Sequence, residues 1–222
     1  MVIRKFIKMI VQTDWIKTIK VNFHYFVFRD AIRFPIMISW RTVLKTVGGV
    51  VFLDDKVTSG MLLFGYKSLG TIDAFYERTI WDIEGLIKLQ GRYNSIGRGS
   101  KFCVRGVCTI GGNLTITGRS ELICQKKITF GKDVLISWDV LIMDSDFHEI
   151  MDESGIVQNE DMDVVFGSHI WIGCRTTIMK GTVIPNNCVI AAGSLISGKL
   201  LREGCVYTSN KNVLREHISW QR

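Results

Sequence analysis

The chain has 222 residues, 47% of them hydrophobic, with two prolines and 21 glycines. That is apolar enough for one sizeable core and excludes a disordered or proline-rich tether. The net charge of +7 sits at one end: residues 1–45 hold nine Lys or Arg against Asp14 and Asp30, so the remaining residues sum to zero. Basic charge held on an apolar end, without a nucleic-acid motif, argues against nucleic acid as a partner.

Taken in chain order, residues 1–50 form a basic amphipathic segment. Ile3, Phe6, Ile7 and Ile10, then Trp15, Ile16 and Ile19, recur at helical spacing, with Arg4, Lys5, Lys8, Lys17 and Lys20 between them. Two readings stay open. The apolar stripe packs on the rest of the protein or a sister chain, or residues 1–45 make a peripheral contact with anionic lipid. Lys8 and Asp14 interrupt the apolar run, so neither a cleavable signal nor a membrane span is expected, and the location expected is cytoplasmic, peripheral to the inner face of the membrane at most.

From residue 51 to 206 the pattern becomes short β-like runs broken by glycine. Val104, Ile110, Ile116 and Leu122 lie six apart, and Cys124, Phe130, Ile136 and Ile142 keep the beat after a two-residue slip. Phe166, Ile172, Ile178, Ile184, Ile190 and Ile196 continue it without a miss. A second inward position is filled by Ile128, Val134 and Val140, and later by the small Thr176, Thr182, Cys188 and Ser194. A six-residue unit cannot enclose a core alone, so successive units must stack. The expected result is a parallel β-helix, three units or about eighteen residues to a turn, each turn about 4.8 Å above the last.

The beat fails over residues 143–165, "MDSDFHEIMDESGIVQNEDMDVV", which hold eight acidic residues and no Lys or Arg. So polar a segment is expected to protrude as a loop. Residues 207–222 are expected to be a helical tail. The six cysteines form no CxxC pair and are expected to be buried thiols rather than zinc ligands. A metal held by Asp144, Asp146, His148 and Asp152 lacks any EF-hand spacing, so no metal is expected.

"DVLISWDVLIMDSDFHEI" and "HIWIGCRTTIMKGTVIPNNCVIAAGSLIS" resemble the hexapeptide-repeat acyltransferases, most closely the sugar O-acetyltransferases of polysaccharide gene clusters. The resemblance implies an all-β, left-handed parallel β-helix, a homotrimer with sites between neighbouring prisms, acetyl-coenzyme A as donor, and a sugar or glycan acceptor. It implies His148 as catalytic base, with Asp146 beside it and Asp144, Glu149 and Trp171 near the acceptor. Imidazole suits the task because a sugar hydroxyl keeps its proton at neutral pH until a base takes it. For the coenzyme the resemblance implies Gly173, Cys174, Ala192, Gly193 and Ser197, with Lys199, Lys211 and Arg215 as candidates for its phosphates. The chain departs from the family in having Gly198 after Ser197 and in lacking the proline of the family's final segment, here "TSNKNVLREHISW". A trimeric scaffold at the membrane surface and a xenobiotic or antibiotic acetyltransferase are the alternatives.

Overall fold

The computed structural model describes residues 9–54, 56–66, 69–73 and 75–222. Ile3, Phe6 and Ile7 of the expected amphipathic helix lie outside these residues.

The six-residue beat builds a three-sided prism of parallel strands, the all-β left-handed β-helix expected. Face one runs from Ile36–Ile38 through Val134–Trp138 and Ile170–Ile172 to Val206–Tyr207. Face two runs from Thr42–Val47 through Glu121–Cys124 and Leu141–Met143 to Leu195–Ile196. Face three runs from Val50–Leu53 through Lys127–Phe130 and Val164–Phe166 to Val183–Ile184. The periodic residues are the core: Ile110, Ile136, Ile172, Ile178, Ile184, Ile190 and Ile196 are buried, and Thr176, Thr182, Cys188 and Ser194 are buried beside them. Stacking brings like side chains into register, as where the Phe130 and Phe166 rings lie parallel 4.7 Å apart.

Turn length differs from the uniform eighteen expected. Ile116 pairs with Ile136, and Leu122 with Phe102 and Ile142, each twenty residues away. After the loop, Ile172 pairs with Ile190 and Ile178 with Ile196, eighteen residues away. The earlier turns use four-residue strands with two inward side chains, and the later ones use two-residue strands. The two-residue slip after Leu122 is the mark of the longer turn.

Two boundaries move. The prism begins at Ile36, not at residue 51, because Ile36–Ile38, Thr42–Val47 and Val50–Leu53 already make one full turn. The tail is not a helix: Val213–Arg215 runs antiparallel to Val206–Tyr207 after a short 3-10 turn at Ser209–Lys211. Pairing with Val206–Tyr207 gives that backbone hydrogen-bond partners along one side. Beyond it, Arg222 ties the tail to face one through Asp133 (2.8 Å) and the Asn113 carbonyl (2.7 Å).

Before the prism lies a helix, α1 (Trp15–Tyr25), started by Asp14, whose carboxylate accepts from the Lys17 amide at 3.0 Å. Its buried residues are Thr18, Val21 and Asn22, so the side turned inward is the more polar one. Asn22 donates from Nδ2 to the Ile36 carbonyl at 2.6 Å and accepts at Oδ1 from the Ile36 amide at 3.1 Å. Thr18 Oγ1 accepts from the Ile38 amide at 3.1 Å, and the Asp14 amide donates to the Ile38 carbonyl at 2.8 Å. Of the readings left open, packing of Ile16 and Ile19 on the prism of the same chain is not what the structure has: hydrogen bonding to the first strand decides which side of α1 faces in. No described helix is long and apolar enough to cross a membrane.

Candidate functional site

Leu141–Met143 is a strand of face two, and after it the chain leaves the wall at the corner between faces two and three. Asp144 is the last residue before the excursion, and it is fully buried. Its two carboxylate oxygens accept from the backbone amides of Gln125 and Lys126, at 2.7 and 3.0 Å, in the turn beneath. Its carbonyl accepts from the Met162 amide at 3.1 Å, which closes the neck of the loop. Asp144 thus holds the corner and is not open to an acceptor, contrary to what the resemblance implied for it.

Asp146 stands two residues further out. Its carboxylate receives Lys180 Nζ at 2.6 Å and Asn159 Nδ2 at 3.0 Å. Lys180 belongs to the turn above, where the register of Ile142 with Ile178 sets it over Asp144. Asn159 also donates to the His148 carbonyl at 2.8 Å and accepts from the Ile150 amide at 2.6 Å, so one side chain braces both limbs of the loop. Lys180 additionally donates to the Asn159 carbonyl.

The Lys180 hydrogen bond, with Asn159 second, holds the Asp146 carboxyl below its ordinary range. A carboxyl lowered in the folded state supports the loop above its unfolded value, and that support fades as pH falls through the lowered one. Lys180→Met should therefore raise the Asp146 titration and speed hydrogen exchange at Ile150. NMR titration and amide exchange would read both, and an unmoved Asp146 would refute the latch.

His148 is exposed, and its ring makes no hydrogen bond to a described residue, although its backbone is held by Asn159. Phe147, in a left-handed conformation (φ 63°) with its amide on Ser145 Oγ at 3.0 Å, turns the chain so that the ring faces outward. It opens on a cavity of about 460 Å³ shared with Lys126, Glu149, Asn159, Glu160 and Asp161. Glu149 lines the same cavity as His148. His169, the other histidine of the prism, is committed elsewhere: Nδ1 lies 2.6 Å from Asp133, Nε2 lies 3.1 Å from the Trp220 carbonyl, and the ring stacks on Trp220.

The remaining expected residues fall in three places. Gly173, Cys174, Ala192 and Gly193 stack at the corner between faces one and two, where a Cβ on Gly173 would stand 2.5 Å from the Ala192 nitrogen. The Gly193 amide is used by the Cys174 carbonyl at 2.8 Å, so it is not a free donor; the amides of Cys174 and Ala192 meet no acceptor among the described residues. Ser197 and Lys199 lie at the corner of His148, above Lys180, and Lys199 shares a groove of about 500 Å³ with Lys211 and Tyr207. Trp171 and Arg215 lie apart from both, on face one, in a groove of about 340 Å³ with Leu214 and Trp220. Trp171 is anchored there by its Nε1 on Ser137 Oγ at 3.2 Å.

Lys180, Asn159 and Phe147 were missed from the sequence. Lys180 was legible in principle, since it lies thirty-six residues after Asp144, the same step that joins Ile142 to Ile178. Among the described residues no group of three or more His, Cys, Asp or Glu is placed to hold a metal ion.

No protein-family model matches the chain. It is 28% identical over 105 residues to the putative lipopolysaccharide biosynthesis O-acetyl transferase WbbJ of Escherichia coli K12, covering 43% of this chain and 54% of that protein. It is 39% identical over 70 residues to the polysialic acid O-acetyltransferase of Neisseria meningitidis, covering 30% of this chain and 33% of that one. The chain thus spans about half or less of the length of these curated relatives. A crystal structure of the polySia specific acetyltransferase NeuO aligns with 82% of this chain and 72% of its own, at 23% identity and a TM-score of 0.45. Repeat and relatives together identify a hexapeptide-repeat protein similar to the sugar O-acetyltransferases.

Proposed function

We propose that the chain transfers an acetyl group from acetyl-coenzyme A to a hydroxyl of a sugar or glycan intermediate, with His148 as general base. The observation that carries this reading is an unengaged imidazole on a loop whose backbone is braced by Asp146, Lys180 and Asn159. Such a base is free to take a proton yet fixed in place, which is what efficient proton transfer asks of it. The imidazole removes the acceptor's hydroxyl proton as that oxygen attacks the thioester carbonyl. The carbon–sulfur bond then breaks, and the proton passes from the ring to the departing thiolate. Glu149 faces the same cavity and is placed to accept a hydrogen bond from a sugar hydroxyl.

The coenzyme's pantetheine arm fits the corner of Gly173, Cys174, Ala192 and Gly193, where small residues admit close approach and two amides are open to its carbonyls. Ser197, Lys199 and Lys211 suit its other end, lysine being an effective partner for phosphate. A three-sided prism keeps its corners apart, so bringing the small-residue corner to His148 requires a neighbouring chain. That requirement supports a homotrimer, with Trp171 and Arg215 facing a neighbour's site.

The test is thiol release from acetyl-coenzyme A over a panel of mono- and oligosaccharides. The expected product is an ester, cleaved by mild base, where an amide would persist. Coenzyme binding without release for any hydroxylated acceptor would reject a sugar substrate, and no coenzyme binding would return the chain to the scaffold reading.

A further inference from the structure

The outer end of the prism carries a surface unlike its walls. Because Thr18 and Asn22 bond to the free edge of the first strand, the opposite side of α1 points away from the prism along its axis. That side holds Ile16, Ile19 and Phe23, at the helical spacings of three and four that make one stripe. Ile16 is 82% exposed, and the row continues through Phe28, 72% exposed and edge-to-face with Phe23 at 6.0 Å. Trp15 stands half-exposed beside it. An apolar row this long on a single helix end requires something to cover it.

Charge selects what covers it. Residues 9–45 hold Lys17, Lys20, Arg29, Arg33, Arg41 and Lys45 against Asp14 and Asp30. Lys17 is paired with Asp14 at 2.9 Å, Lys45 with Asp82 at 3.0 Å, and Arg41 stacks over Trp40. Lys20 and Arg29 are exposed on the same segment and Arg33 is exposed with its guanidinium donating to the Val57 carbonyl at 3.3 Å, and none of the three forms an ion pair with a described residue. Two copies meeting through this end would set these cations against each other. An anionic bilayer offers hydrocarbon to the row and phosphate to its basic flank.

The geometry points to this end of the molecule as a peripheral membrane anchor. Ile16, Ile19, Phe23 and Phe28 enter the boundary between headgroups and acyl chains, Trp15 sits at interfacial depth, and Lys20, Arg29 and Arg33 contact lipid phosphates. The inference stands apart from acetyl transfer, because vesicle binding is read without any activity.

The full chain should sediment with phosphatidylcholine vesicles that contain phosphatidylglycerol, poorly with phosphatidylcholine alone, and less as salt rises. The double substitution Ile16→Glu, Phe23→Glu should lower partitioning at least about tenfold, and Lys20→Glu about fivefold or more, with unchanged circular dichroism and mass. Should the double variant misfold, Lys20→Glu and the salt series decide alone. Wild-type partitioning retained in these variants overturns the proposal, as does equal binding to neutral vesicles. A fall in molecular mass with vesicle binding intact would assign the row to contact between copies instead.

Discussion

Replacing His148 with alanine should lower kcat/KM for acetyl transfer about 10²- to 10⁴-fold, the usual worth of a positioned general base. Coenzyme affinity should stay unchanged, because the His148 ring makes no hydrogen bond to any described residue proposed to hold the coenzyme. The melting midpoint should also stay unchanged: the ring is exposed and holds no described partner. The separation matters, since a loss of rate with a loss of stability would only report damage to the loop. A His148→Ala protein that acetylates sugars at the parental rate would reject the mechanism outright.

The opposite pattern is expected of Asp144. Its alanine variant leaves the Gln125 and Lys126 amides without their acceptor, at a buried corner, while keeping the carbonyl that bonds Met162. Losing two such bonds costs about 3 kcal/mol. For a domain of this size that is a fall in melting midpoint of roughly 6–12 °C. Asp144→Asn keeps one acceptor oxygen and should lose about half as much. Thermal unfolding followed by circular dichroism measures both, and an alanine variant as stable as the parent would show that the corner does not depend on this carboxylate.

The two acids also show how far the sequence could be read. Asp144 and Asp146 are equivalent in an acid-rich loop when only composition is counted. Parity does not separate them, since both fall in step with Val140 and Ile142; the strand ends at Met143, so Asp144 is still held at the corner by the turn beneath while Asp146 lies beyond it. The six-residue beat carried the wall, the inward pairs and the excursion with His148, because stacking admits no other arrangement of those residues. It did not carry the first turn, whose strands at Ile36–Ile38 and Thr42–Val47 lie before the glycine punctuation. Nor did it carry the tail, whose fold depends on pairing with Val206–Tyr207. In α1 the periodicity identified one stripe correctly but could not say which way it faced. That was decided by Asn22 and Thr18, whose partners lie fourteen and twenty residues away. Trp171 was expected near the acceptor and Arg215 near the coenzyme's phosphates, and the structure has both in one groove on face one, apart from the cavity of His148.

A stack of identical turns has no intrinsic reason to stop. The last strand at an open end presents unpaired amides and carbonyls, and the open end of another prism could add to it as one more turn, giving filaments. In this chain the outermost strand meets a side chain in place of a strand: the Asn22 amide group offers one donor and one acceptor to Ile36, as a neighbouring peptide would. The helix that carries Asn22 thereby terminates this end of the stack chemically as well as sterically.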